Sequence, residues 1–427
     1  MVASSQENRK LQQLIELYEQ RNYVKAIKTG EGFTKKYPKN GSGWNVLGLS
    51  YKASGEIAQA IEVFESLTKS VPDSAMFQSN LGNTFVLIGR IKEGITCFEN
   101  AIKLEPKMIN AIEALGLAYL EIDEKEKARN SFERVIELDS NHQRSLYFLG
   151  NLYLMTQDWV EAAKYLKGTN FGLSQSHYLE CLLCLGKGKE FLNFYKQLSE
   201  RGVINPLVGG LVSHVQELYK RDIKNTFCND AIKHVYVGKI EEEDGFSDEL
   251  AKDLIHYHRS NRNDYRSQSL LHNGSQSSGN LFLLDEPFAK NLKSCIEKQV
   301  EVYRSSFAHS EQGFLKHWPK HYELFGWLVS IKNGGNLDAH NHKEGWLSGS
   351  FYLNLPKTES QGKDDGKIAF SYRGPKYPSG GRVSERKVVD INTRDICMFP
   401  SSLFHETVPF QGQEERISFA FDVKPIT

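Results

Sequence analysis

The sequence predicts a multidomain chain: an all-α helical-repeat solenoid first, then an α+β domain whose strands form a β-sandwich or barrel. Three observations predict it. Several residue types recur every 34 positions through the first part. Near residue 232 the apolar pattern changes from helical spacing to strand-like alternation. Three histidines and an arginine then fall among the last short strands, in an order that suits a metal site. A length of 427 residues leaves room for two or three domains, at roughly 100–200 residues each.

The repeat is read from several registers at once. Leu47-Gly48, Leu81-Gly82, Leu115-Gly116 and Leu149-Gly150 recur every 34 residues, as do Tyr51, Phe85, Tyr119 and Tyr153. Ala26, Ala60, Gly94, Ala128 and Ala162 form another register, and Phe64, Phe98 and Phe132 a further one. Pro38, Pro72 and Pro106 close successive units. Two antiparallel helices per unit explain the pattern. The small residues stand where helices cross closely, and the aromatics fill the next turn on the same face. Proline stops the second helix, because it lacks an amide hydrogen and its ring clashes with the preceding turn.

This pattern resembles the tetratricopeptide repeat family over residues 8–170, in about five units. The first unit lacks the Leu-Gly pair and the fifth has Leu166 in place of Phe, as end repeats that cap a stack often deviate. The resemblance implies a concave surface for a protein or peptide partner. The periodic residues are expected in the core, with partner contacts at non-periodic positions. Residues 171–230 still read as helix, and are expected to form a degenerate repeat, capping helices and a linker. Cys181 and Cys184 make a single CxxC there. With no second pair or His pair nearby, they read as core cysteines rather than a zinc site.

Residues 231–427 form the second expected domain. IKHVYVGKI alternates and reads as a strand. GFSDELAKDLIHYHRS and PFAKNLKSCIEKQVEVYRSSF read as amphipathic helices, with HNGSQSSGN as the loop between them. Short strands follow: YELFGWLVSIK, LSGSFYLNL, KIAFSY, DICMFP and RISFAFDV. The helices are expected to pack on one face of this sheet.

Three segments carry the candidate chemistry. LDAHNHKEGWLSGSFYLNLP holds His340, His342 and Tyr352, DICMFPSSLFHETVPF holds His405, and EERISFAFD holds Arg416 and Ser418. Residues two apart on a strand share a face, so His340 and His342 can reach one metal, and His405 on a later strand can complete the set. Three imidazoles on one side of an ion suit Fe(II) and leave positions open. Arg416 follows on the next strand, where its planar fork suits a carboxylate.

These segments resemble the 2-oxoglutarate/Fe(II) dioxygenase superfamily. They are most similar to a bacterial oxygenase family with the pattern H-x-H…S-G-x-x-Y…F-P-S-x-L-x-H-x-V-x-P…R-I-S-x-S-F. The matching residues are His340, His342, Ser348, Gly349, Tyr352, Phe399, Pro400, Ser401, Leu403, His405, Val408, Pro409, Arg416, Ile417, Ser418 and Phe421. Ala420 stands where the family tends to have Ser. The resemblance covers residues 320–427, with weaker support back to 232. It implies a C-terminal α+β domain on a double-stranded β-helix, or jelly-roll, core. It implies Fe(II) and O2, with 2-oxoglutarate as cosubstrate. His340 and His405 are the implied metal ligands. Arg416 is implied to grip the distal carboxylate of 2-oxoglutarate, with Tyr352 and Ser418 assisting. His342 stands where the superfamily commonly has an acid. It either completes the metal set or acts from just outside it. Asp338 and Glu344 are near in sequence but wrongly spaced.

Trp327 and Trp346 are expected to pack rather than react. KTESQGKDDGK and RGPKYPSGGRVSERK read as solvated insertions, with a lid as the other reading. The expected function is a hydroxylase acting on a protein, peptide or amino-acid-like substrate recruited by the repeats. The alternatives are a catalytically silent repeat scaffold, or a barrel that uses the histidines for another metal.

Composition narrows the partners. Lys plus Arg is 53 and Asp plus Glu is 53, so zero net charge gives no argument for nucleic acid or an anionic membrane. No run of about 18 apolar residues suggests a membrane span. MVASSQENRKLQQ has no apolar stretch of the secretory kind, and the six cysteines are unpatterned. A cytoplasmic location is the expectation.

Overall fold

A computed structural model describes residues 5–260, 268–356, 364–382 and 385–426. The chain divides into two compact units, Met1–Gln175 and Ser176–Thr427.

The first unit is five helical pairs. They are α1 (Ser5–Glu19) with α2 (Tyr23–Lys36), α3 (Gly41–Ser54) with α4 (Ile57–Ser70), and α5 (Ala75–Leu87) with α6 (Ile91–Leu104). α7 (Ile109–Glu121) with α8 (Lys125–Leu138) and α9 (Gln143–Met155) with α10 (Trp159–Leu166) complete the array. The periodic residues explain each other. A Cβ on Gly48 would lie 2.9 Å from the Phe64 ring, one on Gly82 2.8 Å from Phe98, and one on Gly116 2.8 Å from Phe132. In the last repeat Gly150 faces Leu166 in the same way, at 2.6 Å. Glycine is thus required by the bulk of its partner on the second helix.

Two further regularities join the pairs. The turn inside each pair carries a left-handed residue, in order Arg21, Gly55, Gly89, Asp123 and Gln157. Successive repeats are clasped by a tyrosine hydroxyl that donates to a glutamate on the preceding helix. The pairs are Tyr51 to Glu31 at 2.7 Å, Tyr119 to Glu99 at 3.1 Å and Tyr153 to Glu133 at 3.4 Å. Burial and the adjacent glutamate raise the Tyr51 and Tyr119 hydroxyls to about 12. Phe85 has no hydroxyl, so the corresponding junction lacks this clasp.

In the second unit, α11 (Ser174–Cys184), α12 (Gly188–Glu200) and α13 (Pro206–Tyr219) come first. The sequence marked this stretch as capping segment and linker. Here Leu179, Phe191, Leu211 and Val215 share one apolar cluster with Tyr377 and Phe404 of the sheet region. Cys181 is buried and Cys184 half-buried, and burial pushes both thiols up to about 12.

The rest is β1 (Tyr236–Lys239), α14 (Asp248–Ser260), β2 (Leu271–Gln276), α15 (Pro287–Ser306), α16 (Gly313–Lys316) and β3 (Tyr322–His340). β4 (Leu347–Asn354), β5 (Ile368–Ser371), β6 (Lys387–Val389), β7 (Asp395–Pro400), β8 (Phe404–Thr407) and β9 (Arg416–Pro425) follow. The sheet order is β1-β7-β4-β9-β3-β8-β5-β6, with β2 also on β3. Its pairings are antiparallel, and it curls into the expected jelly-roll. β3 makes the curl. Its residues 322–331 pair with β9, whereas Leu337 and His340 pair with β8, with a register shift between them.

Alternation along β9 separates core from site. Ile417, Phe419, Phe421 and Val423 join the core cluster that also contains Leu254 of α14 and Leu292, Ile296 and Val300 of α15. Arg416, Ser418, Ala420 and Asp422 point the other way, onto a cavity wall. No helix among the described residues is long and apolar enough to cross a membrane.

The structure corrects three expectations. HNGSQSSGN is not all loop: His272–Gln276 lies in β2, paired with β3 around a shift between His272 and Gly274. Pairing with β3 outweighs the poor strand propensity of Asn, Gly and Ser. The strand expected from 232 begins only at Tyr236, because Ala231–His234 is a short 3-10 turn. RGPKYPSGGRVSERK is not simply solvated. His214 of α13 accepts from the Gly374 amide and donates to the Pro378 carbonyl, and Arg382 donates to the Leu218 carbonyl. Residues 357–363 of KTESQGKDDGK lie outside the described residues.

Candidate metal centre

Strand pairing positions the first two histidines. His340 ends β3 and is the direct antiparallel partner of His405 in β8. Directly opposed residues project to one face, and the two ring centres are 4.4 Å apart. His342 lies two residues beyond β3, in the turn to β4. Its amide donates to the Ser401 carbonyl at 3.1 Å, which fixes that turn against the β7–β8 connection. Its ring centre is then 5.2 Å from that of His340 and 5.1 Å from that of His405. One nitrogen from each ring falls within 4.8 Å of the others, a group that could hold a metal ion. Nε2 of His340 and Nε2 of His342 are 3.2 Å apart.

The outer ring nitrogens fix the orientation. His340 Nδ1 faces the Asp338 carbonyl at 2.8 Å and His405 Nδ1 the Leu403 carbonyl at 3.4 Å. His342 Nδ1 faces Asp422 Oδ1 at 2.5 Å. An acceptor at Nδ1 keeps the proton there and leaves the Nε2 lone pair to the centre. Burial lowers the His340 pKa to about 4, with the neighbouring His342 adding to the shift. Burial, then His340 and His342, also lower His405 well below its usual value. Both rings are therefore neutral near pH 7, the form that binds metal. The donor set thus fits a borderline divalent ion such as Fe(II).

Alternation on β9 brings Arg416 into the same cavity. That cavity, of about 410 Å³, is lined by the three histidines and by Arg416, Ser418 and Asp422. Arg416 Nε donates to the Gly366 carbonyl at 3.0 Å and Nη1 to Ser418 Oγ at 3.3 Å. Only 3% of the residue is exposed, and no carboxylate pairs with it among the described residues. Burial lowers its pKa. A buried guanidinium without an anion is costly, and a carboxylate ligand would relieve that cost.

The other expected residues are placed as follows. Ser418 is on the wall and accepts from Arg416. Tyr352 is fully buried and stands behind the wall, with Arg416 Cζ 5.1 Å from its ring centre. Its hydroxyl has no hydrogen-bond partner of good geometry, since the guanidinium lies over the ring rather than in line with the oxygen. Burial raises that hydroxyl despite the opposing pull of Arg416. Trp346 packs as expected, its Nε1 donating to the Phe314 carbonyl at 2.7 Å. Trp327 packs against the cluster of Leu271, Val329 and Phe410 and also lines the cavity, 5.7 Å from the His342 ring centre. Asp338 pairs with His272 and Glu344 with Lys424, and neither joins the histidine group.

Sequence reasoning missed two supports. One is Asp422, with Ser348 Oγ donating to its Oδ1 at 2.7 Å and lying 2.7 Å from Ser401 Oγ. The available signal was a carboxylate in the same alternating phase of β9 as Arg416 and Ser418. The other is Glu180 on α11, which is fully buried and bonded to Lys343, Lys376 and Tyr377. Burial alone would raise its carboxyl, but His177, Lys343 and Lys376 outweigh that and hold it well below the usual range. It anchors the residue after His342 to the helical part of the unit. No spacing signal marked it.

Comparison with known proteins agrees with this division. Residues 326–422 match the family described as "Putative 2OG-Fe(II) oxygenase". Residues 45–109 and 113–169 match the family described as "Tetratricopeptide repeat". The chain therefore carries tetratricopeptide repeats followed by a domain of the 2OG-Fe(II) oxygenase type. No curated protein sequence matches. Among solved structures, it is similar to PilF of Pseudomonas aeruginosa, at 17% identity and a TM-score of 0.41, covering 45% of this chain and 90% of that one. It is similar to MamA, at 25% identity and a TM-score of 0.34, covering 41% and 95%. It is also similar to a thermophilic TPR protein of Thermus thermophilus, at 19% identity and a TM-score of 0.35, covering 42% and 99%.

Proposed function

We propose that the second unit is an Fe(II)- and 2-oxoglutarate-dependent dioxygenase, a hydroxylase of a protein, peptide or amino-acid-like substrate recruited by the repeats. The observation that carries this reading is Arg416: a buried guanidinium, unpaired with acid among the described residues, in the cavity that holds the three imidazoles. An imidazole set alone suits many metals. A guanidinium beside it suits a dicarboxylate that reaches from metal to arginine.

In this reading His340, His342 and His405 hold Fe(II). The iron, when bound, would supply oxygen activation: one oxygen atom of O2 would enter a substrate C–H bond as hydroxyl and the other would enter succinate as 2-oxoglutarate loses carbon dioxide. Arg416 holds the distal carboxylate, and its hydrogen bonds to Gly366 and Ser418 fix the plane of the fork. Tyr352 assists that grip from behind, its ring face backing the guanidinium. Trp327 and Val329 give the cavity an apolar side that excludes water near the histidines. Tetratricopeptide repeats generally mediate protein–protein contacts, which supports a protein or peptide substrate. The cysteines are all free and five are buried, which supports a reducing cytoplasm.

The test counts succinate formed from 2-oxoglutarate with Fe(II) and O2. Wild type should form it, Arg416→Ala should lose most turnover, and a shorter 2-oxo acid should restore part of the loss. Equal turnover by wild type and Arg416→Ala, or none by wild type across a peptide and amino-acid panel, would contradict the reading.

A further inference from the structure

We infer that Asp422 and His342 act as one anionic ligand, the aspartate charge reaching the metal through the imidazole. The inference rests on the metal reading above and concerns how the site obtains negative charge.

A histidine donates to a metal through its uncharged imidazole, so three histidine ligands bring no negative charge to a divalent ion. The carboxylates on the cavity wall are Glu344, Glu406 and Asp422. Glu344 is paired with Lys424 and Glu406 with Arg386. Asp422 has no lysine or arginine partner among the described residues, and its pairing is with His342. It is also the most enclosed of the three, at 5% exposure. The three histidines differ at their outer nitrogen. His340 and His405 face backbone carbonyls, and His342 faces the carboxylate.

The surroundings hold Asp422 in that pose. Ser348 Oγ donates to the same Oδ1 at 2.7 Å. A Cβ on Gly345 would lie 3.1 Å from Asp422 Cγ and 2.9 Å from Ser401 Oγ, so the turn after His342 passes close over the carboxylate. A carboxylate on Nδ1 raises the basicity of Nε2 and strengthens its bond to a metal. Asp422 is then a positioning residue that acts through His342. A neutral amide of the same shape would hold the ring but lend no charge.

The experiment titrates the metal-free full-length chain with Co(II), reading affinity and the visible Co(II) absorption. Asp422→Asn should weaken binding by about 10–100-fold with an unchanged melting temperature. The same substitution is then made in a His342→Asp background, where the acid touches the metal directly. There the Asp422→Asn penalty should vanish or reverse. Circular dichroism checks folding, and Ser348→Ala, which frees the carboxylate without removing its charge, should cost less than Asp422→Asn. If Asp422→Asn binds Co(II) as wild type does, or costs as much in the His342→Asp background, the inference is overturned while the metal reading stands. Wild type that binds no Co(II) overturns both.

Discussion

Gly116 and Gly210 are both glycines that a larger residue would displace, yet they belong to different kinds of structure. A Cβ on Gly116 would press on Phe132, and the same contact recurs at Gly48, Gly82 and Gly150. A Cβ on Gly210 of α13 would lie 2.7 Å from Asn341 Nδ2 and 2.9 Å from the Ser402 carbonyl, and nothing repeats it. Asn341 sits between His340 and His342, and Ser402 shortly before His405. The array spreads its stability over copies of one contact. The second unit concentrates its chemistry where three distant segments meet once. Damage to the array should therefore be graded, and damage near the site abrupt.

The largest expected effect follows from that contrast. Gly210→Val should abolish Co(II) or Fe(II) chelation, or reduce it at least tenfold, by shifting the turns that carry the histidines. Near-normal metal affinity in a folded Gly210→Val protein would show that α13 is not needed to set those turns.

A pH effect belongs to the second unit. Burial lowers the His214 pKa to about 4, and its neutral ring bridges α13 to residues 374 and 378. The unfolded chain takes up this proton near pH 6.5, whereas the folded chain resists until about 4. Between those values the unfolded state binds more protons, so stability falls as pH falls. The loss is at most about 3 kcal/mol. His214→Gln should flatten the dependence of melting temperature on pH in this window. An unchanged slope would assign the effect to other groups.

In the array, Gly116→Val should cost ~1–3 kcal/mol by overpacking against Phe132. Metal chelation should persist at temperatures below the new melting point. A complete loss of helical signal at room temperature would instead make the array one cooperative block.

The smallest effect is at a repeat turn. Gln157 holds a φ of 59°, where the equivalent positions Gly55 and Gly89 are glycines. Gln157→Gly should stabilise the array by up to about 1 kcal/mol, since L side chains are disfavoured there. A destabilised variant would mean the Gln157 side chain contributes more than its strain costs.

The sequence revealed what repeats or alternates. The 34-residue registers predicted the helical pairs, and RISFAFDV was readable as a strand. The grouping of His340, His342 and His405 was legible because the chemistry expected of a metal site restricts residue type and spacing. β2 was not, because LHNGSQ becomes a strand only through pairing with β3. The left-handed turn inside each pair was not read from the sequence, because glycine marks it only at Gly55 and Gly89 and the other turns carry Arg21, Asp123 and Gln157. Asp422 was recognised as part of a strand but not as a partner of His342, since that hydrogen bond joins residues 80 apart in sequence. Glu180 was hidden for the same reason: its lysines come from distant turns.

The most direct test adds Fe(II) and then 2-oxoglutarate to the oxygen-free protein and records the visible charge-transfer band of the chelate. The account predicts a band that saturates at one equivalent of 2-oxoglutarate, disappears in His405→Ala and needs much higher 2-oxoglutarate in Arg416→Ala. No band in the wild type, or an equal band in His405→Ala, would contradict it.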